Sequence, residues 1–196
     1  MTVDATTSTP SPSAAVGSGL TLRPGTPEDS AALSDLAFRS KAFWGYSDSL
    51  MDAFADELKV SPDMAAQAVI AEVDGVLAGF HLLGPVSGAL PGRPATEPAP
   101  ADAGELDMLF LDPTFIGAGV GRVLFQDAMA KAIARGWTSV YIVADPQSAG
   151  FYETCGAVHV GERLSPSVPG RFLPLLEKRL GRNAGRGMGA RATYWR

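Results

Sequence analysis

Short runs of alternating or continuous apolar residues recur along the chain, and longer stripes with helical spacing separate them. Strands are predicted at residues 20–23, 68–73, 76–83, 105–111, 140–143, 158–161 and 172–180. Asp74-Gly75, between the second and third runs, predicts a tight hairpin. Helices are predicted after Thr26, after Ser47, from Val120 onward and over 147–154. This order of elements indicates one mixed α/β domain over residues 20–180.

Three glycines follow the apolar run that ends at residue 111. Gly117, Gly119 and Gly121 fall within five residues, and the helical stripe begins at once. Glycines allow backbone N–H groups to approach an anion, and a helix N-terminus adds unpaired donors and partial positive charge. A tight turn that binds nothing is the alternative, but three glycines exceed what such a turn needs. The pattern favours an anion site.

Residues 116–121, IGAGVG, resemble motif A of the GNAT (GCN5-related) N-acetyltransferase family, written Gln/Arg-x-x-Gly-x-Gly/Ala. In that family the turn holds the pyrophosphate of acetyl-CoA. Ile116 stands where Arg or Gln is usual, and backbone contacts do not depend on that side chain. The resemblance implies that the cofactor is bound by Ile116, Gly117, Ala118, Gly119, Val120, Gly121 and Arg122.

A second stretch, DPQSAGFYETCGA at 145–157, is similar to motif B of the same family. Phe151 and Tyr152 match in register, while Asp145 replaces Asn and Ser148 replaces Ala. The resemblance extends over about residues 20–180. It implies cofactor contacts from Asp145, Ser148, Phe151 and Tyr152, and it makes Tyr152 the acid that protonates the leaving thiolate. A core aromatic packed beside Phe151 is the alternative for Tyr152.

Two carboxylates share one face of the strand at 105–111. Glu105 and Asp107 are two residues apart, so their side chains point the same way. Carboxylates on a buried strand are costly unless they are solvated or paired. The resemblance places this strand beside the thioester, with Glu105 or Asp107 as general base. It also makes the backbone amides of Leu109, Phe110 and Leu111 the oxyanion donors. The alternative is that both carboxylates face water or an arginine.

Aromatic residues mark the break between the first two predicted helices, SKAFWGY at 40–46. The resemblance implies that this segment walls the acceptor pocket, which makes Lys41, Trp44 and Tyr46 candidates for substrate contact. Core packing of the aromatics with a solvated Lys41 is equally consistent with the pattern. Arg171 is a candidate for binding an acidic group of the acceptor, or else forms a structural ion pair.

Composition narrows the remaining possibilities. The 196 residues carry a net charge of −5, and the middle of the chain is more acidic than the ends, which argues against a nucleic-acid-binding body. Nothing predicts a membrane span, a secretory signal or a metal site, and Cys155 is expected to be a small buried residue. A cytoplasmic location is the default. The tails 1–19 and 181–196 and the Pro/Gly/Ala-rich segment 84–104 are expected to be disordered, with a lid as the other interpretation of 84–104.

The resemblance implies a GNAT fold, with an α/β, mixed, twisted sheet of about seven strands splayed between strands 4 and 5 and helices on both faces. It implies an N-acetyltransferase that uses acetyl-CoA and acts on a small-molecule amine, a peptide N-terminus or a lysine. The protein is expected to be a monomer or homodimer that needs no metal. Two alternatives stay open, a GNAT-fold protein that senses acyl-CoA without turnover and an acyltransferase that uses another acyl donor.

Overall fold

The structure is a computed structural model that describes residues 19–94 and 96–181. Apart from Gly19 and Gly181, the tails predicted to be disordered lie outside the described residues. The seven strands are β1 Leu20–Pro24, β2 Val69–Val73, β3 Val76–Gly84, β4 Ala103–Leu111, β5 Ser139–Val143, β6 Val158–Leu164 and β7 Phe172–Arg179. The helices are α1 Ser30–Ala42, α2 Asp48–Phe54, α3 Pro62–Ala65, α4 Val120–Ala134 and α5 Ala149–Thr154.

Every predicted strand is confirmed, with differences only at the ends. Two 3-10 turns, Pro27–Asp29 and Pro113–Phe115, lie just before α1 and shortly before α4. The four-residue α3 was not predicted, because one turn is too short to show an apolar stripe. Helix α5 begins at Ala149 rather than 147, since the amide of Ser148 donates to the carbonyl of Asp145 in a preceding turn.

Hydrogen bonds join the strands in the order β1-β2-β3-β4-β5-β7-β6. The pairs β1–β2, β2–β3, β5–β7 and β6–β7 are antiparallel, whereas β4 and β5 are parallel. The β4–β5 register holds for three residue pairs, from Ala103↔Ser139 to Glu105↔Tyr141, and both strands continue beyond the last pair. The prediction of a mixed seven-stranded sheet splayed between strands 4 and 5 is therefore confirmed.

The described residues form two compact units. The first unit comprises residues 19–82 and 108–125, and the second unit comprises 83–94, 96–107 and 126–181. In the first unit, the β2–β3 hairpin turns at Asp74 (φ 52°) and Gly75 (φ 78°), as Asp-Gly predicts. Part of its core is a fully buried cluster with partly buried neighbours that include residues of β4 and of the segment that follows it. The cluster consists of Ala71, Ala78, Val120 and Leu124.

Gly79 lets two strands of the first unit approach closely. A Cβ added at Gly79 would lie 2.6 Å from the carbonyl oxygen of Phe110 and 2.8 Å from a methyl group of Leu111. The ring of Phe80 packs on that of Phe110 at 5.9 Å between centroids. The glycine is required here by the close approach of the backbone and not by its φ angle.

The expectation of disorder is wrong for the beginning of the 84–104 segment. In the second unit, Leu90 is buried, and Pro91 lies against Gly161, where an added Cβ would be 3.0 Å from the proline ring. Farther along, the side chain and amide of Thr138 bond to Asp102. Packing of a few apolar residues fixes this segment despite its proline- and glycine-rich composition.

Substitution Gly79→Ala is expected to lower the free energy of unfolding by about 1–3 kcal/mol, because the added methyl group must displace backbone atoms. Gly150→Ala is the matched control, since a Cβ there meets no atom within 4 Å and alanine favours the helix. Urea unfolding of both variants measures the difference. Equal stability of the two variants would contradict the close approach.

Candidate functional site

The predicted phosphate-binding turn lies in the first unit, between β4 and α4. Gly117 has φ +83° and Gly119 has φ +88°, in the left-handed region that strains other residues. A Cβ at either position would meet no atom within 4 Å. These glycines are therefore required for the backbone conformation, and the space beside them is open to a ligand.

Only some of the amides in this turn are used within the protein. The N–H groups of Ile116, Ala118 and Arg122 donate to carbonyls three residues earlier. Within the described residues, those of Gly119, Val120 and Gly121 donate to no acceptor. The amides of Val120 and Gly121 are the first of a 15-residue helix and that of Gly119 directly precedes it, so the partial positive charge of the helix N-terminus adds to theirs. The arrangement suits a phosphate.

Asp112 fixes the start of this turn. Its amide donates to the carbonyl of Ala78 at 2.9 Å, and its carboxylate accepts from the amide and hydroxyl of Thr114. Arg39 of α1 donates to the same carboxylate at 3.0 Å. Burial opposes ionisation of Asp112, but these bonds outweigh it and lower its pKa. Sequence reasoning missed Arg39, because nothing in the chain signals a pair 73 residues apart.

The other predicted cofactor contacts in the first unit are Ile116 and three residues of β4. Ile116 is 39% exposed, so an apolar side chain stands at the surface where the family motif has a polar one. Leu109 and Leu111 pack on the cluster of Ala71, Ala78, Val120 and Leu124. Phe110 contacts Phe80 and its carbonyl lies against Gly79, so all three predicted oxyanion residues lie on the well-packed part of β4.

The aromatic segment 40–46, which begins in the last turn of α1, separates into two groups. The Nζ atom of Lys41 lies 4.5 Å from the ring centre of buried Phe54 and 5.5 Å from that of Tyr46. Phe43 and Trp44 pack edge to face at 5.4 Å, and Trp44 remains 38% exposed. The alternative that Phe43 and Trp44 are core residues is thus wrong. Acceptor contact by Lys41, Trp44 and Tyr46 stays a prediction.

In the second unit, the two carboxylates of β4 lie in different surroundings. Glu105 is 4% exposed, and Arg163 of β6 donates from Nη1 to both of its oxygens at 2.9 Å. Ser87 donates to the same carboxylate from its amide at 3.0 Å and from its hydroxyl at 3.2 Å. Glu105 therefore faces an arginine, as the alternative interpretation expected.

Asp107 is exposed and makes no hydrogen bond or ion pair with the described residues. Loss of water around the carboxyl group and, secondly, the charge of Glu105 raise the pKa of Asp107. Its carboxyl group lies near Gly84 at the end of β3, where an added Cβ would be 3.7 Å away. A carboxylate with a raised pKa and free lone pairs is a suitable proton acceptor near neutral pH.

Arg163 also packs against the segment after β3. A Cβ at Gly88 would lie 3.1 Å from Nε of Arg163, so this segment lies directly on the guanidinium group. Nε and Nη2 are buried and find no acceptor among the described residues, so Nη1 alone carries the bonds. Arg163 was missed from the sequence, where it lies beyond the strand predicted at 158–161 and no motif marks it.

Tyr152 lies on α5 in the second unit, and it is 6% exposed. Its ring packs edge to face on Phe151 at 5.1 Å between centroids. Burial is the main cause that raises the pKa of the Tyr152 hydroxyl far above its usual range, and the neighbouring Cys155 and Asp145 add to it. The phenol therefore stays protonated, as an acid must, but it also packs as a core aromatic would.

Asp145 and Ser148 organise the turn before α5. A carboxylate oxygen of Asp145 accepts from the amide of Gln147 at 3.0 Å, and its carbonyl accepts from the hydroxyl of Ser148. Arg171 lies 3.7 Å from the other carboxylate oxygen, and both side chains are mostly buried. The structure thus places Arg171 in an ion pair, and its contact with an acceptor stays a prediction.

Two absences concern the described residues alone. Within 19–94 and 96–181, no group of three or more His, Cys, Asp or Glu side chains is arranged to hold a metal ion. No helix in the same ranges has the length and apolar character needed to cross a membrane.

A family model of the GNAT acetyltransferases matches residues 31–157, well over half of the chain. The chain belongs to this family. Solved structures share its fold, including a GCN5-related N-acetyltransferase from Rhodopseudomonas palustris (TM-score 0.63, 24% identity, covering 83% of this chain and 97% of that one). A search of curated proteins finds no significant match.

Two further GNAT structures contain the cofactor. PaiA N-acetyltransferase from Thermoplasma acidophilum, in complex with coenzyme A, is 19% identical with TM-score 0.58 over 82% of this chain and 99% of that one. A GNAT acetyltransferase from Brucella melitensis, in complex with acetyl-CoA, is 18% identical with TM-score 0.53 over 83% and 88%. Because both structures are less than 25% identical to this chain, the comparison shows only that the chain shares their fold.

Arg163→Met is expected to lower the free energy of unfolding by about 3–5 kcal/mol, because it leaves the Glu105 carboxylate buried without its partner. Limited proteolysis should also cut residues 85–91 faster. Arg179→Met is the control, since that arginine is paired with Glu177 but its side chain is 84% exposed, and its loss should change stability by less than about 1 kcal/mol. Equal effects of the two substitutions would show that the buried pair adds nothing.

Proposed function

We propose that this GNAT-family protein is an N-acetyltransferase that moves the acetyl group of acetyl-CoA to a primary amine. The observation that carries the proposal is the turn at Gly117 and Gly119, which leaves three amides at the start of α4 without acceptors among the described residues. Coenzyme A and acetyl-CoA in two structural relatives support it. In this proposal the pyrophosphate accepts hydrogen bonds from those amides.

Direct transfer needs three groups. A base removes a proton from the acceptor's ammonium group, and the free amine then attacks the thioester carbon. Backbone amides of Leu109, Phe110 and Leu111 are assigned to the developing oxyanion. As the C–S bond breaks, Tyr152 donates its proton to the thiolate. The attacking nitrogen loses its second proton, which restores the phenol directly or through solvent, and the amide product is left.

The carboxylates of β4 are assigned to the base role. Both were candidates from the sequence, and their surroundings favour Asp107, since Glu105 is already bonded to Arg163 and Ser87. Lys41, Trp44, Tyr46 and Arg171 remain the candidates for acceptor contact. The acceptor class, whether small-molecule amine, peptide N-terminus or lysine, follows from the family alone.

A protein that binds acyl-CoA without turnover is the second candidate. The burial of the Tyr152 side chain favours it, because an acid must reach the leaving sulfur. Binding together with amine-dependent release of free CoA supports the enzyme, and binding without release against a broad panel of amines supports the sensor.

Substitution Gly119→Val should weaken acetyl-CoA binding at least tenfold, because the branched side chain strains the left-handed backbone and occupies the open space beside the amides. Isothermal titration calorimetry with acetyl-CoA measures the loss of affinity. Gly136→Val is matched in strain, since Gly136 has φ +82°, is equally open and follows the other end of α4. Equal losses in both variants would refute the phosphate-binding turn.

Tyr152→Phe should keep the affinity for acetyl-CoA and lower turnover by about tenfold to a thousandfold, on the scale of losing one general acid. The raised pKa keeps the phenol protonated throughout the neutral range, so in wild type this group should cause no alkaline loss of rate below about pH 10. Steady-state release of free thiol measures the turnover of the variant and the pH dependence of the wild-type rate. Wild-type turnover in the variant would leave Tyr152 as a core aromatic only.

A further inference from the structure

Arg39 of α1 joins two segments of the first unit that carry different predicted contacts. One is the aromatic segment 40–46, which holds candidates for acceptor contact. The other is the cofactor turn, which we define as residues 112–121, from the end of β4 to the start of α4. Arg39 lies outside both stretches that resemble family motifs, and it bonds to the cofactor turn across 73 residues of chain.

The side chain of Arg39 holds the first residue of the cofactor turn. Its Nη2 atom donates to Oδ2 of Asp112 at 3.0 Å, and within the described ranges that oxygen accepts no other hydrogen bond. The second oxygen, Oδ1, accepts from the amide and the hydroxyl of Thr114. Without Arg39, the carboxylate would be held on one side only, and its orientation would be less fixed.

Backbone hydrogen bonds carry the position of Asp112 along the turn. The amide of Phe115 donates to the carbonyl of Asp112 at 2.9 Å, and the amide of Ala118 donates to the carbonyl of Phe115 at 3.2 Å. Gly119 comes next, and its carbonyl accepts from the amide of Arg122 in the first turn of α4. A displacement of Asp112 would therefore reach the amides that are assigned to the pyrophosphate.

The backbone of Arg39 supports the aromatic segment. Its carbonyl accepts from the amide of Phe43 at 3.1 Å, and the carbonyl of Lys41 accepts from the amide of Trp44 at 3.3 Å. These bonds close the last turn of α1 before the left-handed Gly45 (φ +73°). One residue thus holds the cofactor turn with its side chain and the start of the aromatic pair with its carbonyl.

The exposure of this ion pair decides which effect is expected. The side chain of Arg39 is 51% exposed and that of Asp112 is 17% exposed. Exposed ion pairs add little to stability, because water and salt screen them. Loss of Arg39 should therefore leave the fold intact. A small interaction free energy is still enough to change a binding equilibrium measurably, since coupling between two sites is a difference of this size.

We propose that Arg39 is a positioning residue that couples the aromatic segment to the cofactor turn, so that a ligand bound at either one changes the other. This coupling rests on the proposed binding of acetyl-CoA at the turn. It is reciprocal by thermodynamic necessity: if acetyl-CoA orders the aromatic segment, an amine bound there raises the affinity for acetyl-CoA by the same factor.

The aromatic segment can be observed directly by ¹⁹F NMR of the protein labelled with 5-fluorotryptophan. Trp44→Phe identifies the Trp44 signal by its disappearance. Before any ligand is added, Arg39→Met and Asp112→Asn should each shift this signal, whereas the signal of Trp137, in the second unit, should stay in place. Lys59→Met removes the cation of another exposed ion pair in the first unit, and this control should shift neither signal.

Acetyl-CoA is then titrated into each protein. In wild type it should shift the Trp44 signal, and in Arg39→Met this response should be lost. Isothermal titration calorimetry should show an affinity about twofold to fivefold lower in Arg39→Met, the range that an exposed ion pair allows. Arg39→Lys should restore the response, because a single donor of Arg39 makes the bond and lysine keeps one. Lys59→Met should respond as wild type does.

The outcomes that overturn the coupling are distinct from failure of the proposed function. A Trp44 signal that Arg39→Met leaves unchanged, or that Lys59→Met shifts equally, removes the link. An acetyl-CoA response that persists in full in Arg39→Met removes it as well. Wild-type protein that binds no acetyl-CoA refutes the proposed cofactor site, while the ligand-free spectra still decide whether Arg39 joins the two segments. If Arg39→Met does not fold, Asp112→Asn carries the test from the other end of the bond.

Discussion

The parallel pairing of β4 with β5 ends after three rungs, and the surroundings of both β4 carboxylates depend on where it ends. Glu105 opposite Tyr141 is the last rung, and beyond it the strands no longer bond to each other. The Glu105 carboxylate at this last rung is still buried, so it needs a partner of opposite charge. Arg163 of β6 supplies it. Two residues later, Asp107 is already exposed.

A buried ion pair is weak evidence for stability, because the cost of removing two charges from water offsets their attraction. Its more definite effect here is on geometry. The pair holds one carboxylate, the strand β6 and the segment carrying Ser87 and Gly88 in a single arrangement.

In the proposed function, the turn before α4 meets a different constraint, since it binds the cofactor through backbone donors rather than side chains. Left-handed glycines expose the amides, and the cost is the conformational entropy that glycine loses on folding. Asp112 limits the remaining freedom by bonding to Thr114, Arg39 and the backbone of β3. Because the proposed donors are backbone groups, the exposed Ile116 in the position of a polar residue is compatible with the proposed anion binding.

The sequence by itself determined the order of the elements, the Asp-Gly hairpin, the glycine turn and the family, because periodicity and local backbone preferences act over a few neighbouring residues. It placed Glu105 and Asp107 on one face of a strand, yet it left them equivalent. Only the tertiary structure separated them, since Arg163 and Ser87 reach Glu105 from 58 and 18 residues away. It likewise paired Arg171 with Asp145, exposed Trp44 and fixed the segment around Leu90. Burial and ion pairing depend on residues distant in the chain, and no local pattern encodes them.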